Sequence, residues 1–211
     1  MTDRTKRSEP ENWAISTQEA AWLTEIPTKT INATIDRGEL VKFKPRRRRA
    51  GQRAPRVLAP ADVVYLALRK ELASVLSSDA RSELYEQLTK CKWSLLSDSG
   101  RDQSSDIEIR LAGGLLRVEL KATSRRLRKR WMALRNAKNL VVSDPAIRGG
   151  EPVIRGTRVP VFLVADLVEQ GASLRELLED YPALNAAKVR SALAYAQTHP
   201  KRGRPKKAPW K

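Results

Sequence analysis

Apolar and polar positions along the chain alternate between the spacing of short helices and, at three places, the two-residue period of strands. Residues 1–12 are polar and predict disorder. Ser16-Thr17-Gln18-Glu19 then sets a hydroxyl at an N-cap with a carboxylate three residues on, ahead of Ala20, Ala21, Trp22 and Leu23, so a helix starts there. It should stop near Thr24, because Pro27 restricts Ile26 to extended geometry. Pro27 or Thr28 opens a second helix that turns Ile31 and Ile35 to the core and ends at Arg37, with Gly38 placed for a left-handed cap. Leu40-Val41-Lys42-Phe43 alternates, the chain passes through Arg46–Arg49, and it returns at Arg56-Val57-Leu58 before a third helix from about Pro60. That order predicts a hairpin wing.

Further along, residues 79–92 read as a helix, 97–106 as a polar loop, and Ile107–Leu111 with Leu116, Val118 and Leu120 as a hairpin punctuated by Gly113-Gly114. Residues 125–138 form a basic helix in which Trp131, Met132 and Leu134 make a packing stripe, and Cys91 is expected to be a buried small side chain. From Asn139, two glycine turns separate short β-branched runs. Three helices follow: Val161–Gln170 closing at Gly171, Leu174–Asp180 capped by Ser173 with Glu176, and Ala186–Thr198 capped by Asn185. His199 ends the last one. The fold class expected is mainly α with small β-hairpins (α+β), organised as 13–72, a middle α/β-hairpin region 73–138, 139–199, and a basic tail 200–211.

Charge changes this picture most. The chain carries 41 Lys/Arg against 24 Asp/Glu, a formal charge of +17. Residues 42–56 hold 8 of those cations, 125–138 hold 7 and 201–211 hold 6, and no acid falls in any of the three runs. The rest of the chain is slightly acidic, so the basicity belongs to three clusters, as suits a polyanion whose binding releases counterions. One cysteine excludes an internal disulfide, and one histidine excludes His-pair metal sites and argues against Ser-His or Cys-His catalysis. No apolar run nears the ~20 residues of a membrane helix, and the amino terminus shows no secretory segment, so a cytoplasmic protein without membrane contact is expected.

The order of helix, turn, helix ending Arg-Gly-Glu-Leu, basic wing and helix opening with Asp-Val resembles the winged helix-turn-helix of MerR and excisionase proteins over about residues 13–72. The resemblance implies a helix in the major groove, with Thr28, Lys29, Thr30, Asn32, Thr34 and Arg37 as candidate DNA contacts. Lys42, Lys44, Arg46, Arg47, Arg48, Arg49 and Arg53 of the wing would grip phosphates or the minor groove. One enzyme pattern competes: Asp106 with Glu119-Leu120-Lys121 matches the loose Asp…Glu-x-Lys arrangement in which two carboxylates hold a divalent metal and a lysine positions water. Charges on the exposed face of a hairpin produce the same pattern.

SDPAIRGGEPVIRGTRVPV (143–161), followed by a helix, a Gly-x-Ser cap, a Tyr-Pro break and SALAYA, looks strongly like the bacterial domain of unknown function 433, over about residues 139–198. That family is similar to VapB-type antitoxins, which have a homeodomain-like three-helix fold and are commonly paired with a PIN-like ribonuclease toxin. The resemblance brings no catalytic residues and no cofactor; Arg155, Gly156, Thr157 and Arg158 carry over as motif positions. By their chemistry Arg155 and Arg158 pair with carboxylates, inside the domain or on a partner. Residues 139–200 hold 6 Lys/Arg and 7 Asp/Glu, so DNA is assigned to the amino-terminal part and protein contacts to this one.

The tail, Arg202-Gly203-Arg204-Pro205, resembles an AT-hook, whose arginines suit the narrow A·T minor groove; Arg202 and Arg204 also suit the acidic metal site of a PIN-like toxin. Together these point to a homodimeric antitoxin that binds operator DNA, represses its own operon and neutralises a ribonuclease by contact. A stand-alone transcription factor or excisionase, and the metal-dependent nuclease above, are the alternatives.

Overall fold

The computed structural model describes residues 15–40, 56–91, 106–111 and 114–201, and they fall into two compact units that meet between Leu127 and Arg128. The described residues are mostly helical, and among them are three small antiparallel two-stranded sheets. No helix among the described residues is long and apolar enough to cross a membrane.

In the first unit, β1 (Ile15–Ser16) leads into α1 (Thr17–Thr24), and the expected reciprocal cap forms: Glu19 N donates to Ser16 Oγ at 3.2 Å and Ser16 N to Glu19 Oε2 at 2.7 Å. α2 (Thr28–Asp36) follows after a short turn. β2 (Val57–Leu58) finds its partner in β1, with Ile15 opposite Leu58; the alternation at 40–43 pointed elsewhere, and of that stretch only Leu40 lies within the described residues.

α3 (Pro60–Leu72) opens on proline, and Ala59 N donates to Asp62 Oδ2 at 2.7 Å across its first turn. Ala61 through Leu68 are all buried, so α3 is covered on every side, with α1 and α4 (Ser78–Lys90) packed against it. Tyr65 and Tyr85 meet edge to face, centroids 5.0 Å apart. Cys91, expected inside, is exposed: it is the residue that ends α4, and its thiol donates to Gln87 O at 3.4 Å. β3 (Ile107–Leu111) and β4 (Gly114–Val118) pair with Ile107 opposite Val118; Ile107 and Ile109 point inward while Glu108 and Arg110 are exposed.

α5 (Lys121–Leu140) is longer at both ends than its basic core implies, and it runs through residues 138 and 139, where the sequence pattern changes. Leu127, Leu134 and Ala137 are buried along it; Trp131 and Met132 are partly so. In the second unit, β5 (Val141–Val142) pairs with β6 (Val153–Ile154). Then α6 (Val161–Glu169), α7 (Leu174–Asp180) and α8 (Ala186–Thr198) close around Ile154, Val161, Val164, Leu177, Leu184, Val189 and Ala192. The Ser173–Glu176 capping box and the Asn185 cap form where the sequence placed them. His199 ends α8, its ring stacked on Tyr195 at 4.3 Å.

Candidate nucleic-acid interface

α2 is fixed at both ends without a side-chain cap. The Pro27 carbonyl accepts from Thr30 N at 2.8 Å and Ile31 N at 3.2 Å. At the other end Gly38, at φ +72°, allows Gly38 N to donate to Ile35 O and Glu39 N to Thr34 O, the paired closure that a left-handed residue permits. Ile31 is fully buried; Lys29, Thr30 and Arg37 are exposed, and Thr28 and Asn32 half-buried. Thr34 leaves the set of groove contacts. Lying three residues after Ile31 it shares the inner face, where it is fully buried and its hydroxyl donates to Thr30 O at 3.0 Å.

Arg56 braces this helix from the start of β2. Its Nη1 donates to Asn32 O at 3.3 Å and Asn32 Oδ1 at 3.1 Å, and its Nη2 to Asp36 Oδ1 at 2.5 Å. Glu39 accepts from Arg37 Nε at 2.7 Å and from Arg69 Nε, on α3, at 2.8 Å. Partial burial pushes the Glu39 carboxyl up, but the hydrogen bonds and charges of Arg37 and Arg69 outweigh it and hold the group below its ordinary value. Both acids beside α2 are therefore matched by arginines, which spares an approaching phosphate their repulsion. Sequence reasoning gave Arg56 no role beyond opening the return strand at the end of a basic run. The available signal was the pair Asn32 and Asp36, four residues apart on one helix face.

Lys42, Lys44, Arg46, Arg47, Arg48, Arg49, Arg53, Arg202 and Arg204 lie outside the described residues. Of the metal pattern, Asp106 accepts from Arg117 Nε at 3.0 Å, and Glu119 and Lys121 are exposed. No group of three or more His, Cys, Asp or Glu among the described residues is placed to hold a metal ion.

The second unit concentrates its unusual backbone between β5 and α6. Arg148 (φ +49°), Gly149 (+66°) and Gly150 (+87°) turn the chain in left-handed conformations, and Arg148 Nε meets Glu151 Oε2 at 2.9 Å. Gly156, at φ +73°, makes the tight return after β6, stapled by Thr157 Oγ1, which donates to Ile154 O at 2.8 Å and accepts from Val159 N at 3.1 Å. Residues 141–196 match the family described as protein of unknown function, DUF433. Over 89 residues, 42% of this chain, the sequence is 45% identical to an uncharacterized protein, y4eO, of Sinorhizobium fredii (strain NBRC 101917 / NGR234). The chain spans 40% of that relative's length. No solved structure matches it.

Within the DUF433 segment the motif arginines part company. Arg155, expected to meet a carboxylate inside the domain or on a partner, meets none among the described residues and caps a helix: its Nε donates to Asn139 O and its backbone N to Leu140 O, both at 2.8 Å. A cation on the last carbonyls of α5 is where the helix dipole favours one. Arg158 is exposed and pairs with no carboxylate among the described residues. Arg155→Ala should accordingly lower stability by about 0.5–1 kcal/mol in thermal unfolding, with Arg158→Ala near neutral; equal effects would show that Arg155 does not cap α5.

Proposed function

We propose that the protein is a DNA-binding antitoxin: a homodimer that docks α2 of each copy in successive major grooves of its operator and, through the second unit, covers a PIN-like ribonuclease. The observation that carries the DNA half is the braced outer face of α2. Thr28, Lys29, Thr30 and Asn32 stand on a helix, and Arg37 at its end, held by Ile31 from within and by Arg56 from the flank, after a short turn from α1, which supports reading α2 as the recognition helix of a helix-turn-helix. Lys29 and Arg37 would fix register on phosphates, and the small polar side chains would sit at base edges. The basic wing and tail add backbone charge by their composition.

The toxin half is supported by the match of residues 141–196 to DUF433, a family similar to VapB-type antitoxins, and by three helices closing on one small core, which suits the three-helix fold that the resemblance implies. Arg158, outward and unmatched, is the motif cation with a charge to offer a partner carboxylate.

Co-expression with the product of the neighbouring reading frame tests the proposal. It should yield a stable complex, relieve growth arrest and protect the promoter shared by both genes; duplex binding without association leaves a stand-alone repressor. Arg56→Gln should weaken operator binding about 5–10-fold, near 1 kcal/mol, by loosening α2 rather than by losing a phosphate, so the salt slope should stay put. A slope reduced by about one would place Arg56 on the DNA instead.

A further inference from the structure

α5 has a cationic face that α2 does not account for. The helix carries 8 Lys/Arg and no Asp or Glu in its 20 residues. Within the second unit, Leu134 and Ala137 mark its buried side, and a helical period of 3.6 residues sets Arg128, Lys129, Arg135, Asn136 and Asn139 on the arc away from them, around the half-buried Met132. Lys129, Arg135, Asn136 and Asn139 are exposed and Arg128 half-exposed; Arg128 and Lys129 pair with no carboxylate among the described residues. Arg155, bonded to Asn139 O, extends the row past the end of the helix. From Arg128 to Asn139 the row is about 16 Å long at 1.5 Å per residue. Counted as a folded unit, Arg128–Lys201 holds 12 Lys/Arg against 7 Asp/Glu, whereas 139–200 alone is near neutral.

We infer that this face of α5 is a second nucleic-acid surface, one that follows the phosphate backbone of a duplex and reads no sequence. The inference rests on the nucleic-acid reading above but gives the duplex a separate site, on a basic run that the sequence reading joined to no surface of its own. Charge complementarity names the occupant. Arginine forks and asparagine amides match phosphate oxygens. A protein partner would need an apolar or aromatic anchor at the centre of its patch, and none of the large exposed apolar side chains among the described residues, Val75, Leu115, Leu163 and Leu174, is on α5. Leu127, Leu134 and Ala137 of α5 are buried and Trp131 and Met132 partly so, which leaves no exposed apolar stripe to insert into a lipid surface. Exposed aromatic platforms, which single strands require, are likewise missing from this arc.

The test uses the full chain and a random-sequence duplex, with affinity measured across a salt series. R128Q/K129Q/R135Q should reduce the slope of log K against log salt by about 2–3, at 0.9 per phosphate contact, and R128K/K129R/R135K should keep it. Should the glutamine variant misfold, Lys129→Glu replaces one exposed group and should still lower the slope by at least about one. A folded glutamine variant with the wild-type slope overturns the inference, and so does a lysine/arginine exchange that loses as much. Unchanged duplex binding alongside lost binding to phosphatidylserine vesicles would assign the face to membranes and equally overturn it. If the glutamine variant keeps its slope while Arg56→Gln weakens operator binding, only α5 is misassigned. If the wild-type chain binds no duplex, both readings fall.

Discussion

Ile31→Ala is expected to lower the free energy of unfolding by about 2–5 kcal/mol and to abolish operator binding at temperatures the wild-type chain tolerates. Ile31 is fully buried, and the one other buried side chain of α2 is Thr34, whose hydroxyl is spent within the helix. A helix of nine residues does not hold itself in water, so its docking leans on Ile31, with half-buried Ala33 and Ile35 beside it. Collapse into the space left behind is resisted at both flanks, by the left-handed closure at Gly38 and by Arg56, which places the cost toward the middle of the range. Denaturant unfolding gives the number. A loss under about 1 kcal/mol would mean that Arg56 and the turns, not the core, hold the helix.

Tyr85→Phe should cost about 1.5–3 kcal/mol at neutral pH and less in acid. Asp62 is buried at the start of α3, its Oδ2 accepting from Ala59 N at 2.7 Å and its Oδ1 from Tyr85 OH at 2.8 Å. Burial raises its pKa above the ordinary 3.8, and the two donors only partly offset that. The folded chain therefore holds a proton at this site more readily than the unfolded chain does. Stability from that proton is fully present below 3.8 and is lost as pH rises through the higher folded value. Removing the tyrosine hydroxyl strips a donor from the charged form, so the penalty belongs to pH values where Asp62 is ionised. Unfolding of wild type and variant at pH 7 and pH 4 reads the difference; a penalty that does not shrink on acidification would show that the Tyr85 hydroxyl does not favour the ionised form of Asp62.

What was legible in the sequence was whatever depends on residues close together. The caps of α1, α7 and α8 and the ends of α2 follow from local hydrogen-bond supply, and each stands where its residues put it. What depends on distant partners was not legible. Val57-Leu58 pairs with Ile15-Ser16 across some forty residues, and no periodicity encodes that choice. Arg155 looked like a partner for a carboxylate because the end of α5 is not visible as an acceptor in a string of letters. Thr34 shows the same limit at short range: composition reads it as polar, and only the phase set by Ile31 turns it inward.

The position of Cys91 has a practical consequence. As the sole thiol in the chain, set outside at the end of α4, it accepts a maleimide dye in strict one-to-one ratio with no engineered cysteine. Fluorescence anisotropy on the native sequence then becomes the natural way to follow every titration described above. The same sulfur can join two chains in air, so any measurement of the native mass requires a reductant.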